Sequence, residues 1–391
     1  MISRLAALDT FLTDVVEPLE EAHSDLLTDP RQRYAASGVL SPGVLGLKRE
    51  VRTAAAAAGL YALMIPPGLG GPGLTAAHQY AIWCHLYARC GPDRILPYDS
   101  LGSFTSGPGA ALGGLSERAR TEVWPRIISG EQVLCFALSE RRGSAHGDVR
   151  TTASATKEGF VLRGEKTWVS RGGYADYALV YAMAQDPGQT GTTTTSAFLV
   201  PLSARGVNLV SVSRLLGRIG GEEVTLAFND VQVSQWQLVG EVGGGGALAA
   251  SGAASSTTFA AGRFVGLAQW ALRHVAAATG TSESLREATR EVQAIDRVSK
   301  AFAAQADLGQ RDGPLQTMVR IAAPAICGRV FERAMQIEGS EALVNEARLF
   351  DGWHQSRIVQ VAQGGIHDEI SVQVLREAER LALSAERDGP G

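Results

Sequence analysis

The chain is short of cysteine: 391 residues contain only Cys84, Cys90, Cys135 and Cys327, and none stands in C-x-x-C spacing. They read as reduced, mostly buried thiols of a cytoplasmic protein. Also missing is any run of about 18 apolar residues, so no membrane span is expected. No early stretch joins a basic start to an apolar core, so no signal peptide is expected. Neither sign of charge dominates: the formal net charge is −4, which gives no reason to expect nucleic acid or an anionic membrane as partner. There is no internal repeat, no G-x-S-x-G elbow and no P-loop. What is present, 45% hydrophobic and 19% charged residues, suits a compact folded enzyme rather than a disordered chain.

A chain of this length exceeds the usual single-domain size and predicts two or three domains. Residues 1–131 read as helices. Leu5, Leu8, Leu12, Val15 and Leu19 follow steps of three and four, and Pro18 bends or ends that helix. Leu47–Ala62 reads as a second helix, stopped by Pro66-Pro67. Over 132–242 the period changes to two. Short strands are predicted at Thr151–Thr156, Gly159–Leu162 and up to Trp168-Val169-Ser170, with others around Val210, Val212, Leu226, Phe228, Val231 and Val233. Gly191–Ser196 reads as a hairpin loop. The glycine run Gly243–Gly246 returns the chain to helix for 243–391.

Two formal pattern matches fail on context. Gly68-Leu69-Gly70-Gly71-Pro72-Gly73 satisfies G-x-G-x-x-G but follows a proline pair and contains Pro72, so it is no strand-to-helix dinucleotide turn. His78, Cys84, His85 and Cys90 have the composition of metal ligands, but their spacing fits no standard zinc pattern; a helical core explains them better.

The most informative stretch runs from Cys135 to Ala182: Leu138-Ser139-Glu140, the loop Gly143-Ser144-Ala145, two alternating strands, then Lys166-Thr167-Trp168-Val169-Ser170 and Ala175-Asp176. One flat aromatic and several hydroxyls stand at strand ends, where a planar polar ring could be stacked and hydrogen-bonded. This block resembles the flavin-contacting segment of the acyl-CoA dehydrogenase family, written T-E-P-x-x-G-S-D, N-G-x-K-x-W-I-T-N-G and A-D. Gly59 through Pro66 and Leu69–Gly73, Leu216-Gly217-Arg218 through Val233, and Gly266-Leu267-Ala268-Gln269 resemble further segments of that family. The resemblance implies an α+β fold: an N-terminal α-helical domain (1–131), a central β-barrel (132–242) and a C-terminal four-helix bundle (243–391).

It also implies FAD as cofactor. Trp168 would pack on the flavin ring, Ser170 would approach its reactive edge, and Phe136, Leu138 and Ser139 would supply further contacts. Gln336 and Gly364 stand in segments that serve the cofactor in the family. Ser144 would meet the carrier arm of an acyl thioester. Arg141-Arg142 nearby either hold a carrier phosphate or solvate a surface. At the family's catalytic glutamate this chain carries Gln363, whose amide is no useful base. The alternative base position, ten residues before Gly266, holds Ser256, which stays a substrate-side candidate. Histidine as a residue type titrates near neutrality, which makes His367 the candidate substitute; the alternative is that His367-Asp368-Glu369 form only a polar first helical turn. The R-x-x-F-G segment for the cofactor's adenine arm is replaced by Ser282–Arg286; Arg286, or Arg290 one turn further on, could meet phosphate or face solvent.

Three functions follow as expectations. The first is an FAD-dependent oxidoreductase acting on an acyl thioester, bound to CoA or a carrier protein, by an altered route. The second is a flavin-dependent oxygenase or oxidase of a specialised metabolite, and the third a non-redox acyl-binding or scaffold protein of the same fold. The resemblance implies a homodimer or homotetramer and allows an electron-transfer partner.

Overall fold

The computed structural model describes residues 2–102, 111–141, 149–185, 193–280, 282–310, 313–343 and 348–362. Helices come first: α1 (Ile2–Phe11), α2 (Glu17–Ala22), α3 (Ser24–Thr28), α4 (Pro30–Arg33), α5 (Pro42–Ala57), α6 (Ala76–Cys90), α7 (Glu117–Glu122) and α8 (Trp124–Ile128). Strands follow: β1 (Leu134–Ala137), β2 (Thr152–Ala155), β3 (Gly159–Ser170), β4 (Tyr177–Gln185), β5 (Thr193–Pro201), β6 (Val207–Ser213), β7 (Glu223–Ser234) and β8 (Leu238–Val239). The chain then returns to helix in α9 (Gly245–Ser251), α10 (Ala253–Thr279), α11 (Glu283–Asp307), α12 (Gly313–Glu338) and α13 (Arg348–Ala362).

Several expectations hold with changed boundaries. Between α1 and α2 the backbone widens into a π-turn at Leu12–Val16, directly ahead of Pro18. Proline has no N–H to give and crowds the carbonyl four residues back, so a wider turn absorbs it. Helix α5 starts earlier than the apolar spacing suggests, because Ser41-Pro42 is a helix-start pair, and it ends at Ala57. The threonines at 193–195 and Ser196 are not loop: they open β5, pairing with Ala182–Gln185, as β-branched residues favour.

The eight strands form one sheet in the order β6-β7-β3-β2-β4-β5-β8, with β1 also beside β4. It does not close into the barrel expected from the resemblance: β6 and β8 end the path, and no pairing joins them among the described residues. Strands β1 and β2 both lie parallel to β4, β1 against Tyr177–Val180 and β2 against Met183-Ala184. Strand β4 divides two cores by its period of two. Leu179 and Tyr181 face the core shared with the helices, while Ala178, Val180 and Ala182 face the core of the sheet.

The first and last helical segments share that larger core, so the sheet is flanked by one continuous helical body. Helix α6 packs closely against α10. A Cβ on Gly262 would come within 2.8 Å of the Trp83 side chain, and one on Gly266 within 2.4 Å of the Cys84 carbonyl oxygen. The glycine opening Gly266-Leu267-Ala268-Gln269 is thus a packing requirement between two helices. Helix α6 also carries the cysteines and histidines that looked metal-like. His85 contacts Asp9 at 2.8 Å, Cys84 meets the Gln269 amide oxygen at 3.6 Å, and burial pushes both Cys84 and Cys90 thiols up to about 12.

Candidate functional site

A cavity of about 500 Å³ lies where β1, the end of β3 and the 215–221 loop meet α5, α6, α10 and α13. That volume falls within the range of about 300–1,000 Å³ usual for small-molecule sites. Its sheet wall carries Phe136, Leu138, Ser139, Trp168 and Ser170, and Ser256 comes from α10. Six of the residues singled out by sequence therefore line one space.

The geometry of Trp168 has a local cause. Strand β3 pairs with β7 through two register shifts, one between Leu162 and Gly164 and a second between Lys166 and Val169, where Trp168 takes φ = 57°. A bulge there turns the side chain out of the sheet, and the indole is left 59% exposed at the cavity. Left-handed backbone at a bulky residue is strained by about 1–2 kcal/mol.

The bulge is anchored from behind by a buried network. Lys166, with no exposed surface, donates to the Glu140 Oε1 at 2.7 Å and to the Leu138 carbonyl at 3.0 Å. Glu140 accepts in addition from the Thr151 hydroxyl at 2.7 Å and from the Thr151 and Arg150 amides at 3.0 and 2.8 Å. The Thr167 amide donates to the Ser139 carbonyl at 2.9 Å. The serine–glutamate turn and the tryptophan strand are thereby locked together. Burial lowers the Lys166 pKa against the opposing pull of Glu140. Glu140 itself, despite burial, is held below the ordinary carboxylate range by Lys166 and Thr151. The Ala175-Asp176 pair is structural in the same way, since the Asp176 carboxylate accepts from the Val133 amide at 2.8 Å and fixes the start of β1.

Ser170 presents a different face from the one expected. Its hydroxyl donates to the Glu223 carboxylate at 2.8 and 2.9 Å, and Glu223 also pairs with Arg218. The hydroxyl hydrogen is spent on Glu223, and what Ser170 offers the cavity is its oxygen lone pairs.

The helical wall was not legible in the sequence. Lys48, Arg94, Arg171, Arg218 and Arg263 line the cavity together with Asp99, Tyr87, Tyr98, Tyr174 and Phe259. Asp99 is the one carboxylate among the described lining residues, and it is bound to Lys48 at 2.5 Å and to Arg52 at 3.3 Å. Burial works to raise its pKa, but Lys48, Arg52 and Arg171 outweigh that and hold it below the usual range. Tyr87 and Tyr98 stack at 4.5 Å, and burial raises both phenols, for Tyr87 despite Arg263, Arg218 and Arg171 nearby. One signal for this wall was present: where the family motif ends T-N-G, this chain reads Ser170-Arg171-Gly172.

The remaining sequence candidates lie elsewhere. Gln336 is exposed on α12 and does not line the cavity. Arg286 and Arg290 both pair with Glu283, at 2.8 and 3.4 Å, as exposed helix arginines do. Arg141 is exposed beside Glu165 at 3.5 Å. Ser144, Gln363, Gly364 and His367, with Arg142, lie outside the described residues.

Comparison with known proteins agrees with this architecture. Residues 135–231 match the acyl-CoA dehydrogenase middle domain. The chain is 27% identical over 332 residues to the caffeyl-CoA reductase-Etf complex subunit CarC of Acetobacterium woodii, covering 81% of this chain and 86% of that protein. It is 25% identical over 389 residues to cyclohexane-1-carbonyl-CoA dehydrogenase of Geobacter metallireducens, covering 93% and 97%. A solved structure of a glutaryl-CoA dehydrogenase from Mycobacterium smegmatis in complex with FADH2 superposes with a TM-score of 0.74 at 17% identity, covering 93% of this chain and 91% of that one. Residues 135–231 thus carry the acyl-CoA dehydrogenase middle-domain pattern, and these relatives support membership of that family along most of the chain. No helix among the described residues is long and apolar enough to cross a membrane.

Proposed function

We propose that this protein is an FAD-dependent oxidoreductase acting on an acyl thioester, carried by CoA or a carrier protein. The observation that carries this reading is the convergence of Phe136, Leu138, Ser139, Trp168, Ser170 and Ser256 on one cavity. The residues fit a flavin ring: Trp168 offers a broad aromatic surface, and the Leu138-Ser139 turn is held rigidly beside it by Lys166 and Glu140. FAD, once bound, would supply the hydride acceptor.

The chain's own part is to stack, orient and move a proton. Asp99 is unsuited to take the substrate's α-proton, since its cations stabilise the ionised form and weaken it as a base. Gln363 has no basic group, so His367 is the base in this reading, and the altered proton step sets the protein apart from relatives with a glutamate there. Gln336 and Gly364 would serve the cofactor's far end, and Ser144 the carrier arm. CarC is named as a subunit of an Etf complex, which supports a separate electron-transfer partner here. The resemblance supports a homodimer or homotetramer, built from units at 1–131, 132–242 and 243–391.

Anaerobic mixing of the FAD-loaded protein with a panel of acyl-CoA thioesters tests the reading. Bleaching of the visible flavin band by at least one thioester, lost in His367→Ala, is expected. A flavin band that no thioester bleaches, but that cycles with oxygen consumption when reduced, would replace this reading with the oxygenase.

A further inference from the structure

The charges around the cavity do not balance, and the excess is concentrated on two arginines. Of the five cations in its lining, three are answered from within the protein. Lys48 is paired with Asp99 at 2.5 Å, Arg94 with Glu20 at 2.5 Å and Glu17 at 3.5 Å, and Arg218 with Glu223. Arg171 and Arg263 form no ion pair among the described residues. The carboxylate nearest in influence to Arg171 is Asp99, already shared by Lys48 and Arg52.

Arg263 is held in place rather than neutralised. One terminal nitrogen donates to the Gln355 amide oxygen at 2.8 Å, and Gln355 is itself fixed by donating to the Pro92 carbonyl at 2.6 Å. The guanidinium lies 5.6 Å from the Tyr87 ring and 5.4 Å from the Phe264 ring. Its Nε is buried with no partner among the described residues. A guanidinium braced by an amide and aromatic faces, with donors left over, is suited to a planar oxyanion. A purely aliphatic acyl chain in this cavity would strip water from both arginines and return nothing.

We infer that the acyl group received by this cavity carries a second acidic group, a carboxylate held by Arg263 and Arg171. This rests on the acyl-thioester reading above and adds the substrate class to it.

The test is calorimetric titration of the full chain, with FAD added, using succinyl-CoA and butyryl-CoA, which share a chain length and differ by a terminal carboxylate. Succinyl-CoA is expected to bind about ten- to a hundredfold more tightly, the range of a hydrogen-bonded charge pair. Arg263→Gln should reduce that preference toward unity, and Arg263→Lys should restore part of it. FAD affinity should stay unchanged in both. Where R263Q melts early, Arg171→Gln reads the same preference.

Equal affinities would overturn the inference, because the arginines would then be neutralised from within the chain. So would a preference that survives R263Q while FAD binding falls, since the anion would then be the cofactor's. Should neither thioester bind, the acyl-thioester reading fails separately, and free succinate decides the anion site. Succinate binding lost in R263Q keeps that site, and no succinate binding removes it.

Discussion

Two buried lysines stand behind opposite walls of the cavity, and their surroundings drive them in opposite directions. Lys166, on the sheet side, has one carboxylate and one carbonyl as partners, and burial lowers its pKa. Lys48, on the helical side, is also opposed by burial, but Asp99 and Tyr174 together outweigh it and raise its pKa. The difference lies in how each carboxylate is shared. Glu140 divides its oxygens between Lys166 and the Thr151 strand, so the pair acts as a rivet between two chain segments. Asp99 serves Lys48, Arg52 and the field of Arg171, so the helical wall keeps surplus positive charge. One wall is built to hold a shape, the other to hold a charge.

Removing the rivet should break the comparison most strongly. Lys166→Met leaves Glu140 without its cation and should cost about 3–5 kcal/mol in urea unfolding, the usual penalty for halving a buried pair. Lys48→Met should cost visibly less, because Arg52 remains on Asp99; equal losses would mean that Arg52 shares nothing. Next in size is Trp168→Gly. Relief of the left-handed backbone should stabilise the protein by about 1 kcal/mol, while FAD affinity falls about tenfold or more with the lost stacking surface. A variant that is both less stable and equally tight for FAD would contradict that assignment.

The lysines should also separate by pH. Lys48 has a raised folded value, so its contribution is fully present below 10.5 and fades as pH rises beyond it. Lys166 has a lowered folded value, so the unfolded chain holds that proton more tightly and stability gains as pH climbs towards 10.5. Unfolding curves of K48M and K166M against the parent, followed from neutral to alkaline pH, should therefore converge and diverge in opposite senses. The smallest effect sharpens the helical side. Glu222 is buried, forms no ion pair among the described residues, and burial raises its carboxyl above 4.5 despite Lys48 and Arg218. Glu222→Gln should be more stable than the parent at neutral pH, with the gain disappearing as pH falls below 4.5.

The same contrast explains what could be read in advance. The sheet wall is local in sequence: Phe136, Ser139, Trp168 and Ser170 fall within one stretch. The resemblance named them and the fold gathers them. The helical wall is assembled from Lys48, Asp99, Arg263 and Gln355, far apart in the chain and joined only by the packing of α5, the Leu96–Asp99 turn, α10 and α13. Nothing in the periodicity of those helices marks a cavity-facing arginine. The open sheet went unread for a related reason: the resemblance implied a barrel, and alternation places a strand's faces but not its partner. The threonines of β5 show the opposite failure: a glycine and threonine run looked like a turn, and cross-strand pairing with β4 decided otherwise. Ser170 lay between these cases, its position legible and its hydroxyl's commitment to Glu223 not.

The most direct test of the central claim is the visible absorption spectrum of the purified protein with added FAD, after removal of unbound cofactor, beside Trp168→Gly treated alike. The account predicts a flavin band that travels with the parent protein and is largely lost from the variant. A folded parent protein that carries no band would contradict it and leave a non-redox protein of the same fold.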